Sequence, residues 1–66
     1  MQVQLNGEAT TWRSGETLQK WLEEQGKAEH RLAIEVNGSI LPRTEFEQYT
    51  PSPGDRIEVI AAIGGG

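Results

Sequence analysis

The last three residues, Gly64, Gly65 and Gly66, are the part of this sequence best suited to chemistry. A C-terminal carboxyl group has an ordinary pKa of about 3.3 to 3.7, so it is a carboxylate at neutral pH. A carboxylate can attack the α-phosphate of ATP when a partner enzyme aligns the two groups. Glycine has no Cβ and adopts almost any backbone angles, which suits a thin peptide that enters another protein's pocket. We therefore expect Gly66 to react, and Gly64 and Gly65 to thread it.

The expected chemistry continues from the adenylated terminus. A sulfur donor can displace AMP from the activated acyl carbon and leave a terminal thiocarboxylate, without help from any side chain of this protein. The alternative interpretation is that the glycines are a frayed end or a cloning remnant. We favour the functional interpretation because frayed ends are usually of mixed polar composition, whereas this end is glycine alone directly after a β-branched segment.

Side-chain catalysis and metal binding find little support in the sequence. There is no cysteine and His30 is the only histidine, so nucleophile and base pairs of the Ser–His or Cys–His kind are not indicated. We interpret His30 as a solvated loop residue, and the pairs Glu23 with Glu24 and Glu45 with Glu47 as solubilising surface. One histidine and scattered carboxylates lack metal-ligand spacing. We expect a protein that is not an enzyme and binds no metal or cofactor itself.

Size and charge narrow the class of partner. The chain has 66 residues, enough for one small domain, and a net charge of −4, which disfavours nucleic acid. No stretch approaches the roughly 20 apolar residues of a membrane span, and the N-terminal ten residues do not resemble a signal peptide. We expect a cytoplasmic protein, and the absence of cysteine fits a reducing compartment.

Two hairpins are predicted from period-2 alternation on either side of Asn-Gly pairs. "MQVQL" and "EATTW" flank Asn6-Gly7, and "RLAIEV" and "SILP" flank Asn37-Gly38. Asn-Gly supplies the two positive φ angles of a type I′ turn, so each pair of segments should run antiparallel. Pro42 has no N–H to donate, so it should end the fourth strand or lie on a sheet edge.

A helix separates the two hairpins. Leu18, Trp21 and Leu22 fall at i, i+3 and i+4, which places them on one helical face. Ser14 or Thr17 can cap its first turn, and Gly26 is suited to end it. We expect about three turns near residues 17 to 25.

The chain closes with "RTEFEQYT", "PSPGD" and "RIEVIAAI". The first is predicted to be irregular or a short 3₁₀ helix that places Phe46 in the core, and the second is a turn. The third is rich in β-branched residues and should be a strand near the middle of the sheet. The expected fold is α+β, with a mixed sheet of four to five strands packed on one helix.

Several apolar residues are candidates for partner contact. Trp21 shares the face of Leu18 and Leu22, so core packing is expected, whereas Trp12 is left open between partner contact and partial burial. Ile40, Ile60 and Ile63 do not all fit the inward alternation of the last strand. We expect an exposed apolar patch that leads to the tail and binds partner proteins.

In this order and spacing, five features resemble the ThiS family of small sulfur carriers in thiamin biosynthesis. They are the Asn6-Gly7 hairpin, "GETLQKWLEE", "VNGSILPR", "PGDRIEV" and the terminal Gly-Gly. The resemblance covers essentially the whole chain, and Leu41-Pro42-Arg43 after an Asn-Gly turn is its most specific part. It implies a ubiquitin-like β-grasp domain over residues 1–63 and a flexible tail over residues 64–66.

The resemblance also implies a set of partners. A ThiF-type enzyme would adenylate the carboxylate of Gly66 with ATP and magnesium. Sulfur would come ultimately from a cysteine desulfurase, and thiazole synthase would receive it. This chain would then be a cosubstrate of its partner enzymes.

Three alternatives stay open at the level of sequence. The small subunit of molybdopterin synthase resembles this family in fold, tail and sulfur chemistry, and a carrier for another sulfur-containing metabolite would look much the same. A β-grasp interaction module with an inert tail is a different class of protein. It predicts that deleting Gly65 and Gly66 has no effect, whereas the carrier interpretations predict complete loss of function.

Overall fold

The computed structural model describes residues 1–61, which form one sheet, one α-helix and one short 3₁₀ helix. The elements are β1 (Gln2–Leu5), β2 (Glu8–Thr11), α1 (Leu18–Glu24), β3 (Leu32–Val36), β4 (Ser39–Leu41), a 3₁₀ helix (Arg43–Glu45) and β5 (Arg56–Ala61). None of the described helices has the length and hydrophobicity that a bilayer crossing requires. The predicted boundary between domain and tail lies outside the described residues.

The sheet is mixed and has five strands in the order β2-β1-β5-β3-β4. The two predicted hairpins, β1 with β2 and β3 with β4, are antiparallel. β5 lies between them, parallel to β1 and antiparallel to β3. This confirms the α+β class, the central last strand and the β-grasp arrangement. β4 is an edge strand that ends just before Pro42, as its missing N–H predicts.

Both Asn-Gly turns adopt the predicted left-handed conformation. Asn6 and Gly7 have φ angles of 51° and 84°, and Asn37 and Gly38 have φ angles of 53° and 87°. Positive φ at both central residues is the requirement of a type I′ turn, whose twist matches that of the flanking strands. Local turn chemistry therefore determines the registers of both hairpins.

Helix α1 is shorter than the sequence predicts. It spans seven residues, about two turns rather than three, and Thr17 is its N-cap. The Thr17 hydroxyl oxygen accepts a hydrogen bond of 3.1 Å from the backbone N–H of Lys20. At the other end Gly26 takes a φ angle of 71°, as predicted for the residue that ends the helix. The cap and this glycine leave no room for a third turn.

The core fills the space between the sheet and α1. Its buried side chains come from every part of the chain: Val3, Trp12, Leu18, Leu22, Ile34, Phe46 and Ile57. Phe46 is buried as predicted, and Trp21 is half-buried against this cluster. Burial of apolar surface on this scale is the main stabilising contribution available to a chain without disulfides.

Trp12 is more deeply buried than the sequence predicts. Its exposed fraction is 1%, so its ring is not a partner contact. The ring stacks on Trp21 at a centroid distance of 5.4 Å, and its Nε1–H donates to the backbone carbonyl of Glu16 at 2.9 Å. This burial depends on a helix residue nine positions along the chain, which strand alternation around Trp12 does not reveal.

The asparagines of the two turns also bind β5. The Asn6 Oδ1 accepts from the Val59 N–H at 2.9 Å, and the Asn37 Oδ1 accepts from the Arg56 N–H at 2.9 Å. The backbone N–H of Asn37 donates to the Arg56 carbonyl at 2.7 Å, and that of Asn6 donates to the Ile57 carbonyl at 2.9 Å. The same residues that reverse the two hairpins therefore fix the position of the central strand.

Replacing Asn6 separates its two roles. Asn6→Gly keeps the positive φ angle but removes the acceptor for Val59, so we expect a loss of about 1 kcal/mol in the free energy of unfolding. Asn6→Asp keeps both the acceptor oxygen and tolerance of the left-handed conformation, so its free energy of unfolding should stay close to that of the unmodified protein. Urea denaturation measures the free energy of unfolding of both variants. Equal stability of Asn6→Gly and the unmodified protein would show that the side chain does not hold β5.

Candidate functional site

The described part of the site is the C-terminal end of β5, where the chain runs toward the glycines. Ile60 and Ala61 are the last described residues, and both are exposed. The predicted partner-binding residue Ile63, the threading residues Gly64 and Gly65 and the reactive Gly66 lie outside the described residues. Their roles stay predictions.

Ile40 and Ile60 are exposed on the sheet face that points away from α1, here called the outer face. The exposed fractions of their side chains are 64% and 48%. Ile60 pairs across the sheet with Ala33, and Ile40 pairs with Glu35 two residues further along β3, so the backbones of the two isoleucines lie about 12 Å apart. Their predicted exposure is confirmed. Apolar side chains of this size on a sheet face are candidates for a protein interface.

An open groove lies beside the end of β5. The described residues that line it come from the α1–β3 connection, β3, the 3₁₀ helix and β5: Glu29, His30, Arg31, Leu32, Ala33, Arg43, Ile60 and Ala61. Two of these residues, Arg31 and Arg43, are positively charged, and Glu29 is negatively charged. The end of β5 is therefore bordered by charged groups of both signs.

Arg43 holds the wall of this groove in place. Its guanidinium donates to the backbone carbonyls of Ala28 and, at 3.4 Å, of His30. Its Cζ atom lies 5.5 Å from the centre of the Phe46 ring, a cation–π contact. The guanidinium thus ties the α1–β3 connection to the core. The sequence indicated Arg43 only as part of a resemblance, because a contact across 13 to 15 residues has no local pattern.

A hydrogen-bonded cluster fixes the other end of β5. Asp55 accepts from the Tyr49 hydroxyl at 2.7 Å, from the Ser52 N–H at 2.9 Å and from the Asn37 side-chain amide at 3.1 Å. Burial opposes ionisation of Asp55, but these three donors lower its pKa below the ordinary value. Burial, followed by the bond to Asp55 and the charge of that carboxylate, raises the pKa of Tyr49 to about 12. The turn before β5 is thereby locked to the sheet.

The other charged candidates lie on the surface. His30 is exposed, as expected, and so are Glu23 and Glu24. Glu24 forms an ion pair of 3.6 Å with Arg13. Burial, followed by a hydrogen bond to Glu24 and its charge, raises the pKa of Glu16. Glu16, Glu23 and Glu24 do not line the groove beside the end of β5, whereas His30 does.

Three comparisons with known proteins each find a similar protein or family. A model of the ThiS family matches residues 3–66. Sulfur carrier protein ThiS of Escherichia coli K12 is 30% identical over 66 residues, which is all of both chains. The crystal structure of thiamine biosynthesis protein ThiS from Geobacter metallireducens covers all of both chains, with a TM-score of 0.79 and 29% identity.

A longer relative contains a similar segment. The thiazole synthase of Paramagnetospirillum magneticum is 33% identical to this chain over 66 residues. The match includes the whole of this chain but spans only 20% of the length of that thiazole synthase.

Replacing Arg43 should loosen the groove wall. Arg43→Met keeps much of the aliphatic stem but leaves the carbonyls of Ala28 and His30 without their donor, so we expect a loss of about 1 to 2 kcal/mol in unfolding free energy. Amide hydrogen exchange should also accelerate across residues 27–31. Arg31→Met, the same change at an exposed neighbouring arginine, serves as the control. Equal exchange in the two variants would remove Arg43 from this role.

Proposed function

The chain belongs to the ThiS family, and we propose on that basis that it is a sulfur carrier protein of thiamine biosynthesis. The observation that carries the proposal is the family match, which extends from residue 3 through Gly66 and so includes the glycines after β5. Agreement with the whole of the Escherichia coli sulfur carrier and with the fold of the Geobacter protein supports it. The protein acts as a cosubstrate of other enzymes rather than as a catalyst.

The proposed reaction takes place at the carboxylate of Gly66. One carboxylate oxygen attacks the α-phosphorus of ATP, pyrophosphate leaves and an acyl-adenylate forms. The terminal sulfur of a persulfide donor then attacks the acyl carbon, AMP departs and an acyl disulfide forms. A thiol attacks the donor's sulfur in that disulfide, so the S–S bond breaks, the terminus leaves as a thiocarboxylate and the donor and the thiol remain joined as a disulfide. ATP and magnesium belong to a ThiF-type activating enzyme, and a cysteine desulfurase supplies the sulfur indirectly. No cofactor is needed on this chain.

The geometry of β5 supports this role. Side-chain hydrogen bonds fix β5 at its start, through Asn37 and Asp55, and at its middle, through Asn6 at Val59. Five residues follow Ala61, and five residues span at most about 17 Å when fully extended. An anchored strand close to the reactive terminus lets a partner bind the folded domain and thread the tail with little loss of orientation.

Thiazole synthase is the proposed recipient of the sulfur. The thiazole synthase of Paramagnetospirillum magneticum contains a segment similar to this whole chain, within a protein about five times as long. Such a link favours delivery to thiazole formation over delivery to molybdopterin synthase. We place the reaction in the cytoplasm, where ATP and reduced sulfur donors are available.

The proposal predicts that the tail and Ile63 are required for activation. Deleting Gly65 and Gly66 should abolish ATP–pyrophosphate exchange with the ThiF-type enzyme, because the attacking carboxylate moves out of reach. Ile63→Asp should abolish it by placing a charge in an apolar contact. Ala9→Asp, which adds the same charge on the outer face at the far strand β2, is the control and should leave exchange unchanged.

The unfolding midpoint of each variant must match that of the unmodified protein for the comparison to hold. Absence of exchange with the unmodified protein would support a β-grasp interaction module with an inert tail, and full exchange by the tail deletion would show that adenylation does not require Gly65 and Gly66. Full exchange by Ile63→Asp alone would remove that residue from the interface but leave the carrier role in place.

A further inference from the structure

Two carboxylates face each other in the middle of the outer face. Glu35 on β3 and Glu58 on β5 are direct partners in the antiparallel register. Directly opposed residues have Cβ atoms about 4.5 to 5.5 Å apart, and like charges in these positions destabilise a sheet. The fold thus places two negative charges side by side on its two central antiparallel strands.

Neither carboxylate is neutralised within residues 1–61. The ion pair in the described chain joins Arg13 to Glu24, and no described hydrogen bond involves the side chain of Glu35 or Glu58. Arg56 is on the same face as Glu58, two residues earlier along β5, but it forms no ion pair within 4.0 Å with it. No described side chain pairs with either carboxylate, so solvent and dissolved ions alone reduce their repulsion in the free domain.

Apolar side chains border the two carboxylates. Ile40 is the partner of Glu35 on its other side, and Ile60 follows Glu58 by two residues on the same face. Both isoleucines are largely exposed. Acidic residues are depleted at the centres of protein interfaces, so a pair of carboxylates between exposed apolar side chains requires a cationic partner if this face is covered.

We propose that Glu35 and Glu58 together bind an arginine side chain of thiazole synthase, with Ile40 and Ile60 packing around it. A guanidinium has five N–H donors in a planar fork and stays charged when desolvated, so it can bond two adjacent carboxylates at once. The inference rests on the proposed function, since it takes thiazole synthase as the recipient of sulfur. The similar segment within a longer thiazole synthase favours this partner over the activating enzyme.

The proposal predicts that one substitution changes stability and affinity in opposite directions, because the opposed carboxylates destabilise the free domain but bind the partner. Glu58→Arg places a cation opposite Glu35, so the free protein should unfold at a higher urea concentration. The same variant should bind the thiazole synthase of the source organism at least about ten-fold more weakly, because two cations now meet. If Glu58 instead stabilised the free domain, Glu58→Arg would unfold at a lower urea concentration.

The matched control is Glu47→Arg, which makes the same change in net charge at an exposed residue after the 3₁₀ helix. Affinities are measured by titration calorimetry at low and at physiological salt. Glu35→Gln with Glu58→Gln is the second variant, which removes the charges without adding a cation. It should weaken binding and flatten the salt dependence of the affinity.

The possible outcomes are distinguishable. Equal affinity of Glu58→Arg and Glu47→Arg for the synthase would overturn the inference while leaving the carrier role intact. A loss of affinity for the ThiF-type enzyme alone would overturn the choice of partner. Failure of the unmodified protein to bind the synthase at all would overturn delivery to thiazole formation, and the inference with it.

Discussion

The hydrogen bonds that hold β5 between the two hairpins are the interaction on which the rest of the structure depends. Asn6 and Asn37 each reverse a hairpin at a positive φ angle and also bind the backbone of β5 through their side-chain amides. A change at either residue therefore affects a turn and the central strand together. Because the glycines follow β5 in the sequence, the same bonds fix the position of the last described residues before them.

Much of this arrangement could be predicted from sequence because its signals are local. Asn-Gly at two positions, an i, i+3, i+4 apolar pattern from Leu18 to Leu22 and a β-branched final segment specify hairpins, helix and last strand independently of one another. The predicted length of α1 was wrong because Thr17 could be interpreted as part of the helix as well as its cap. The exposure of Ile40 and Ile60 followed from alternation alone.

The remaining features depend on contacts between distant parts of the chain. Trp12 is buried because Trp21 stacks on it, and Arg43 matters because the carbonyls of Ala28 and His30 lie within its reach. The opposition of Glu35 and Glu58 exists only once the register of β3 with β5 is known. A single sequence contains these residues but not their neighbours in space, so chemistry that depends on such pairs becomes visible only in the fold.

Intact-mass spectrometry of the protein isolated from its own cells tests the central claim most directly. The sulfur carrier role predicts a species heavier than the unmodified chain by the difference between one sulfur and one oxygen atom, with the extra mass assigned to Gly66 by fragmentation. The species should disappear in cells that lack the activating enzyme. A single unmodified mass in cells that are actively making thiamine would contradict the account.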